Sequence, residues 1–243
     1  VGTEYVKSVA GEFRTSLAIY ESCIDNFQNV IYRNGAADFE VKPSEMDEVD
    51  YSQFTALITA GTVFAGQPSR DATFRAFENA RNQGIPVIFD IDYRPYSWPS
   101  PQVASEVLPR AGEESDMIVG NDEVFGLMAG GIDNGLNKAR DLASAANRLV
   151  IYKMGEEGAI TLYNNEEIRT GIFPTDAIKP VGAGDSFMAG LLSSLASGYD
   201  LKNSVIRGSA CASIVVSLPG CAPAMPDGDQ LNNFINNSLI KEL

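Results

Sequence analysis

The stretch Lys179-Pro-Val-Gly-Ala-Gly-Asp-Ser-Phe-Met-Ala-Gly-Leu-Leu-Ser-Ser-Leu195 joins a glycine loop to an apolar segment. The proline that follows Lys179 disfavours the helical region at that lysine. Gly182 and Gly184 then admit backbone conformations that are closed to other residues. From Asp185 onward the spacing predicts a helix. Its apolar face consists of residues at i, i+4, i+5 and i+8: Phe187, Leu191, Leu192 and Leu195.

The start of such a helix is a site for an anion. The free amides of Ala183, Gly184 and Asp185 would point along the helix axis, where the macrodipole is positive. Because Gly182 and Gly184 lack a Cβ, a phosphate can approach the backbone closely. Asp185 adds a carboxylate that can accept a proton from a hydroxyl that attacks the bound phosphoryl group. The alternative is an ordinary loop in which Asp185 only caps the helix.

Composition and charge bound the possible partners. The chain has 243 residues, of which 44% are apolar and 9% aromatic. This is enough for a sizeable core in one α/β domain. The net charge of −14 argues against a nucleic-acid partner or a membrane surface. An anionic substrate therefore needs a local positive site, such as a helix N-terminus or a placed arginine.

Cysteine and histidine usage narrows the chemistry further. The sequence has no histidine, and Cys23, Cys211 and Cys221 lack the spacing of metal ligands. A zinc site and a histidine-based catalytic triad are therefore not expected. Reduced cysteines and the lack of an apolar run of about 18 residues lead us to expect a cytoplasmic protein.

Alternating strands and helices are predicted after Lys42. The run Pro86-Val-Ile-Phe-Asp90 indicates a strand buried on both faces, as in a parallel sheet. Ser69 is expected to cap a helix that runs to Gln83, with Gly84 as its stop signal. Further strands are predicted at residues 56–59, 117–120 and 149–153, a hairpin at 159–163 and 167–173 with Asn164-Asn165 as its turn, and helices at 203–217 and 229–239.

Polar residues follow the strand that ends at Asp90. In open parallel α/β sheets, ligands bind beyond the carboxyl ends of the strands. Asp92 and Arg94 are therefore placed for contact with a polar ligand. The alternative is that these two side chains pair with each other.

The run Gly182-Ala183-Gly184-Asp185 resembles the signature of the PfkB (ribokinase-like) carbohydrate kinases. In that family the loop is the anion hole for the transferred phosphate, and its Asp is the catalytic base. The resemblance implies a three-layer α/β/α fold with a mostly parallel central sheet and a small β-sheet lid. It further implies one kinase domain over residues 1–243, in which residues 13–41 contribute lid strands.

Two further stretches resemble one branch of this family, the 5-dehydro-2-deoxygluconate kinases. They are Asp-Ile-Asp-Tyr-Arg-Pro at 90–95 and Gly-Cys-Ala-Pro-Ala-Met-Pro at 220–226. The 2-keto-3-deoxygluconate kinases share part of the first stretch. The resemblance implies phosphorylation of the terminal hydroxyl of a keto-deoxy sugar acid, as in inositol catabolism, with ATP and Mg²⁺ as cofactors. It leaves open whether K⁺ is a further cofactor. Arginine side chains favour an acid over the neutral sugars of ribokinases and fructokinases.

The same resemblance assigns substrate contacts. Arg33, Asp92 and Arg94 become candidates for binding the sugar acid, with Arg33 directed at a carboxylate. The alternative for Arg33 is a surface ion pair of little energetic value.

The magnesium site departs from the family pattern. The family usually has Asn-x-x-Glu, whose Glu helps to hold hydrated magnesium, and this chain has Asn121 followed by Val124 at the Glu position. Glu123 lies one residue earlier, about 100° around the helix. Glu123 is therefore the candidate metal ligand, with Asp122 as an alternative. Either acid can equally be a first-turn residue that the helix dipole favours.

The nucleotide contacts are implied by two other segments. Lys153, Gly155 and Gly158 fit the family pattern Lys-x-Gly-x-x-Gly, although isolated glycines are more often turn residues. Ser209 and Ser213 lie where the family approaches adenine, and Asn121 is a further candidate contact.

Two expectations concern the whole molecule. Family members carry an N-terminal part with a central strand, a Gly-Gly pair and an Asn that contact the sugar, and no stretch of this sequence matches it. We therefore expect the sequence to be incomplete. We also expect a homodimer formed through the lid strands.

The hypothesis from another class is a kinase-like protein that senses a sugar or nucleotide without turnover. The altered Asn-x-x-Glu motif favours it, and the intact Gly-Ala-Gly-Asp argues against it.

Overall fold

The computed structural model of the chain describes residues 2–21, 23–25, 28–145 and 147–241. Two compact units make up the chain. The first unit comprises Val1–Leu17, Ile31–Lys153 and Thr161–Glu167, and the second comprises Ala18–Val30, Met154–Ile160 and Ile168–Leu243.

Within the described residues, eight strands form two sheets. Strands β1 (Leu17–Tyr20) and β2 (Asn29–Tyr32) form a small antiparallel sheet, which confirms strands within residues 13–41. The other six form a mostly parallel sheet in the order of the sequence. They are β3 (Leu57–Ala60), β4 (Val87–Asp90), β5 (Met117–Asn121), β6 (Leu149–Lys153), β7 (Ala159–Tyr163) and β8 (Glu166–Thr170).

Strands β3 to β6 run parallel, and their register aligns their carboxyl ends. Thr59 lies opposite Phe89, and Asn121 lies opposite Lys153. Residues 87–89 of β4 are buried, as expected of a strand that is covered on both faces. The sheet therefore brings the predicted polar residues Asn121 and Lys153 to the same edge.

The helices alternate with these strands and give the predicted three-layer α/β/α architecture. In the described part of the chain, none of them has the length and hydropathy of a membrane span. The helices are α1 (Pro43–Met46), α2 (Ser69–Asn82), α3 (Pro101–Glu113), α4 (Asp122–Met128), α5 (Gly135–Ala143), α6 (Ala183–Ala196), α7 (Leu201–Val216) and α8 (Gly228–Asn237).

The predicted cap of α2 is wrong, whereas its predicted end is confirmed. Pro68 occupies the N-cap position, and Ser69 is the first residue of the helix. The buried Ser69 hydroxyl donates to the Val63 carbonyl at 2.8 Å instead of accepting a helix amide. Gly84 follows the C-cap with φ of +71°, as a glycine that ends a helix commonly does.

The predicted hairpin turn is also confirmed. Asn164 and Asn165 join β7 to β8 with φ of +51° and +64°. Two successive positive φ values are typical of a type I′ turn, for which Asn is well suited. Strand β8 ends at Thr170, three residues before the predicted end at Phe173.

An aromatic cluster fills the core of the first unit. Phe64 is fully buried, and its ring centroid lies 5.0 to 5.8 Å from those of Phe74, Phe77 and Phe89. Each such pair contributes about 0.5–1.5 kcal/mol beyond its area burial. The cluster joins α2 to β4 and so fixes the strand that leads to Asp92 and Arg94.

Glycines allow α6 and α7 to pack closely in the second unit. A Cβ at Gly190 would lie 2.7 Å from Cys211 Sγ, and a Cβ at Gly208 would lie 2.9 Å from the Phe187 carbonyl oxygen. The small residues predicted in α7 therefore serve close approach, as expected. This packing fixes α6, whose first turn carries the Gly-Ala-Gly-Asp loop.

Candidate active site

The glycine loop adopts a conformation that requires glycine at its first position, Gly182. Gly182 is the N-cap of α6 and has φ of +88° and ψ of −4°, in the left-handed region. A Cβ at this position would lie 3.1 Å from Val215 Cγ1 and 3.5 Å from Cys221 Sγ. Backbone conformation and packing therefore both select glycine. The helix begins at Ala183, two residues earlier than the apolar pattern predicts.

The first turn of α6 leaves backbone donors open. Among the described residues, the amides of Gly184 and Asp185 have no hydrogen-bond acceptor, and the Ala183 amide lies 3.4 Å from the Pro180 carbonyl oxygen. The Ser186 amide donates to the Gly182 carbonyl at 3.0 Å and closes the first helical bond. Open amides at the positive end of a 14-residue helix are the donors that the predicted anion site needs, and anion binding there stays a prediction.

Asp185 does not cap the helix. It is the third helical residue, its side chain is exposed, and Gly182 has the N-cap position. The alternative in which Asp185 serves only as a cap is therefore wrong. An exposed carboxylate next to open amides is the arrangement that phosphoryl transfer to a hydroxyl needs.

Buried polar groups hold the loop from inside the second unit. The Ser186 hydroxyl donates towards the carbonyls of Gly182 and Ala183, at 2.8 and 3.0 Å. Lys179 is fully buried, and its Nζ donates to the carbonyls of Val181 at 3.0 Å and Val215 at 2.7 Å. Sequence reasoning did not single out Lys179, although a lysine inside the apolar run Ala-Ile-Lys-Pro-Val was a signal for it.

Cys221 and Tyr20 lie against the same loop. The Cys221 Sγ lies 3.4 Å from the Tyr20 hydroxyl and 3.8 Å from the Val181 carbonyl oxygen. The hydrogen bond with Cys221, followed by burial, raises the pKa of Tyr20. Strand β1 thus contacts the 220–226 loop at Cys221, and Cys221 in turn lies beside Val181, the residue that precedes Gly182. No local pattern indicates this pair, since the partners are 201 residues apart.

Arg33 is held by an acidic partner in the first unit. Its Nε donates to Asp38 Oδ2 at 2.7 Å, its Nη2 pairs with the same oxygen, and its Nη1 donates to the Thr62 carbonyl at 3.0 Å. The guanidinium lies 4.1 Å from the ring centroid of Phe39. The ion pair that the sequence left open is thus present. Solvent screens it less than a pair of two exposed side chains, because only 12% of the Arg33 side chain is exposed.

Asp92 and Arg94 pair with each other. Arg94 Nη2 lies 2.7 Å from Asp92 Oδ1, and both side chains are partly exposed. A pair of this kind contributes about 0–1 kcal/mol, so it can open to admit another anion. The contact of these residues with a substrate stays a prediction.

The first turn of α4 contains the residues of the altered Asn-x-x-Glu pattern. Asn121 Oδ1 accepts the Val124 amide at 3.0 Å and so caps the helix. Val124 is buried in the core, and Glu123 is exposed. The described residues contain no group of three acidic, cysteine or histidine side chains that would hold a metal. Magnesium binding by Glu123 stays a prediction.

The glycines after β6 are turn residues, as the alternative for them proposed. Gly155 and Gly158 have φ of +57° and +76°, and the Met154 amide donates to the Gly158 carbonyl at 2.8 Å. A Cβ at Gly158 would lie 2.1 Å from the Thr170 carbonyl oxygen. Lys153 is the last residue of β6. The contacts of these residues with a nucleotide stay predictions.

Ser209 and Ser213 are buried on α7 and have partners within the protein. Ser209 Oγ donates to the Gly171 carbonyl at 3.4 Å, and Ser213 Oγ donates to the Phe173 carbonyl at 2.7 Å. Their hydroxyl protons are therefore engaged, and a nucleotide contact by either residue stays a prediction.

The three cysteines are free thiols, as predicted. Burial raises the pKa of Cys211 to about 11, so this thiol is protonated at neutral pH.

Comparison with known proteins identifies the same family that the Gly-Ala-Gly-Asp sequence resembles. Residues 1–228 match the description "pfkB family carbohydrate kinase". The 5-dehydro-2-deoxygluconokinase of Photobacterium profundum is 38% identical over 228 residues, which cover 91% of this chain and 69% of that protein. The 5-dehydro-2-deoxygluconokinase of Geobacillus thermodenitrificans is 36% identical over 215 residues, which cover 86% and 63%. The chain thus spans between 63% and 69% of the length of these two relatives.

Solved structures share the fold at low identity. Fructokinase from Xylella fastidiosa with bound ATP superposes with a TM-score of 0.82 at 17% identity, covering 93% of this chain and 75% of that one. A double mutant of fructokinase from Vibrio cholerae O395, in fructose, ADP and potassium ion bound form, has a TM-score of 0.78 at 24% identity and covers 93% and 74%. The fold, the Gly-Ala-Gly-Asp loop and the match over residues 1–228 agree, and the chain belongs to the pfkB family of carbohydrate kinases.

Proposed function

We propose that this protein is an ATP-dependent kinase that phosphorylates the terminal hydroxyl of a keto-deoxy sugar acid, with 5-dehydro-2-deoxy-D-gluconate as the preferred substrate. The observation that carries the proposal is the pair of open amides at Gly184 and Asp185 beside the exposed Asp185 carboxylate. The substrate is taken from the two relatives named above, which are more than one third identical over most of this chain.

The loop performs the transfer in one step. Asp185 accepts the proton of the sugar hydroxyl while the hydroxyl oxygen bonds to the γ-phosphorus, and the bond from that phosphorus to the bridging oxygen of ADP breaks. The amides that follow Gly182 bind the phosphoryl oxygens, on which charge develops in the transition state. The Gly182 conformation aims these amides before the substrate arrives, so little reorganisation is needed.

Magnesium would neutralise phosphate charge when it is bound with ATP. Glu123 and Asp122 offer the oxygen ligands that this ion prefers, at the start of α4. Asn121, Lys153, Gly155, Gly158, Ser209 and Ser213 are proposed as nucleotide contacts on the family pattern alone.

The acid group of the sugar needs a cation. Arg94 is the stronger candidate, because its partly exposed pair with Asp92 can exchange for a substrate carboxylate at small cost. Arg33 is bound to Asp38 and covered by Phe39, so its contact with a substrate would have to be shared with Asp38.

Residues 1–243 are proposed to act as one kinase domain with a lid from residues 13–41. Exposed apolar side chains on β1 and β2, namely Leu17, Ile19, Val30 and Tyr32, support a homodimer through these strands. Free cysteines support a reducing compartment, and we propose the cytoplasm.

A substrate panel tests the proposal directly. The full-length protein is incubated with ATP, Mg²⁺ and, in separate reactions, 5-dehydro-2-deoxy-D-gluconate, 2-keto-3-deoxygluconate, ribose or fructose, and ADP is measured. We expect the highest kcat/KM with 5-dehydro-2-deoxy-D-gluconate. A higher value with another sugar would replace the substrate and keep the kinase.

The sensor hypothesis rests on the buried Val124 at the position of the family Glu. It predicts no ADP with any sugar of the panel, together with calorimetric binding of a sugar or of ATP. That combination would overturn the proposed catalysis.

A further inference from the structure

A lysine lies fully buried beneath the proposed anion loop. Lys179 has no exposed surface, and within the described residues its Nζ donates to two neutral backbone carbonyls, those of Val181 and Val215. A buried ammonium held by neutral groups alone is costly unless those groups satisfy it. The position of Lys179 therefore suggests a role that requires a positive charge beneath the loop.

The two carbonyls belong to the segments that define the loop. Val181 directly precedes the N-cap Gly182, and Val215 is the penultimate residue of α7. The last carbonyls of a helix lack intrahelical partners and lie at the negative end of its dipole, where a cation is favourable. The same Val215 lies 3.1 Å from where a Cβ of Gly182 would be. Nζ thus ties the end of α7 to the start of the loop.

The Lys179 amine occupies the position that a monovalent cation would take between these two carbonyls. Potassium and ammonium ions are similar in size, and both are satisfied by neutral oxygen ligands. A solved structure of the same fold is described in a potassium ion bound form. At Lys179, however, the amine holds the carbonyls that a free ion would need, so the residues here do not fit an added potassium ion.

We propose that the Lys179 ammonium is a built-in monovalent cation that orders the Gly182–Asp185 loop and makes phosphoryl transfer independent of added potassium. The inference rests on the proposed function. Lys179 is a positioning residue: it touches carbonyls of the loop and of α7, and it adds positive potential behind the amides that bind phosphate.

The first test needs no variant. Turnover of the full-length protein is measured in potassium chloride and in choline chloride at equal ionic strength, with ADP quantified by chromatography because coupling enzymes can respond to potassium. The proposal predicts rates that agree within about twofold. A rate that falls at least about tenfold in choline, equivalent to about 1.4 kcal/mol in barrier, would overturn it.

The second test is chemical rescue. Lys179→Ala opens space for a small cation, and we expect kcat to fall about 10- to 1,000-fold, with a smaller change in the KM for the sugar. Potassium or ammonium should restore part of this kcat, and choline should not. Lys179→Met is the matched control, because its side chain fills the space and no cation should rescue it. Wild-type kcat in folded Lys179→Met would overturn the proposal.

A readout without turnover separates this inference from the proposed function. The unfolding temperature of Lys179→Ala should be higher in potassium chloride than in choline chloride, whereas wild type should show no difference. If wild type phosphorylates no sugar, the proposed function fails, yet this comparison still decides whether a cation replaces Lys179. No potassium effect on folded Lys179→Ala would contradict the inference. If neither variant folds, the cation dependence of wild type decides it.

Discussion

At the scale of single residues, the loop depends on backbone geometry more than on side-chain chemistry. Gly182 combines a φ of +88° with close packing against Val215 and Cys221, and the amides beyond it are open as a consequence. We therefore expect the backbone conformation at Gly182 to control activity, whereas a strained glycine elsewhere should control stability alone.

Gly182→Ala should lose both stability and turnover. A left-handed alanine costs about 1–2 kcal/mol, and the new Cβ also presses on Val215. Gly198→Ala is a matched control at the other end of α6, with a φ of +84° and open space around the Cβ. Denaturant unfolding should show a loss in both variants, and only Gly182→Ala should lower kcat. Equal activity in the two variants would contradict the role of Gly182.

Thiol labelling should distinguish Cys211, in the core of the second unit, from Cys221, beside the glycine loop. Cys211 has a pKa of about 11, so its labelling should stay slow at neutral pH and rise only as the pH approaches 11. Cys221 is partly exposed beside Val181, and an alkyl group there should displace the loop and lower kcat. Peptide mapping after iodoacetamide treatment measures both. A Cys221→Ala variant that is inactivated at the wild-type rate would contradict the assignment to Cys221.

At the scale of elements, caps and glycine contacts hold the helix pair that carries the loop. Asp200 is the N-cap of α7, and its carboxylate accepts the Asn203 amide at 2.9 Å. Hydrogen bonds from the Asn203 backbone and side chain lower the pKa of Asp200 below its ordinary value of 3.8. The ionised cap is therefore favoured in the folded state.

Asp200→Ala should lower the melting temperature in a pH-dependent manner. Because the folded pKa is depressed, the contribution of Asp200 is fully present above the unfolded value of 3.8 and is lost as the pH falls through the folded value. The difference from wild type should thus be largest near pH 7 and should shrink in acid. Asp200→Asn keeps a capping side chain without the charge, so its difference should not follow this pH dependence. A difference for Asp200→Ala that grows in acid would contradict the sign.

At the scale of the whole molecule, local pattern was sufficient for the elements and insufficient for the contacts between them. Apolar runs and glycine signals predicted β4, β6 and α7 to within about three residues, because those signals are local. Ser69 was expected to cap α2 but donates to Val63 instead. The partners of Ser209 and Ser213 lie 38 and 40 residues away. Such pairings follow from tertiary packing, which periodicity does not encode.

The same distinction between local pattern and tertiary contact applies to the candidate site. The Gly-Ala-Gly-Asp run identified the loop, since its residues are consecutive. The contact of Lys179 with Val215 was not predictable, because the two residues are 36 positions apart. Arg33 and Arg94 were recognised as candidates, but the sequence could not decide between substrate contacts and the ion pairs that the structure has.

The exposed apolar strands make a prediction about assembly. Because Ile19 and Tyr32 are more than half exposed on β1 and β2, we expect a dimer through these strands. Light scattering should give the dimer mass for the full-length protein, and Ile19→Asp should shift it to the monomer. A monomer at every accessible concentration of wild type would contradict the expectation.

The most direct test of the central claim is the kcat of Asp185→Asn compared with that of Asp229→Asn. Asp229 is an exposed acid in the first turn of α8 and so matches Asp185 in setting without lying at the loop. With ATP and 5-dehydro-2-deoxy-D-gluconate, Asp185→Asn should lower kcat about 10²- to 10⁴-fold while calorimetric ATP affinity is retained, and Asp229→Asn should match wild type. An Asp185→Asn enzyme that turns over at the wild-type rate would contradict the account.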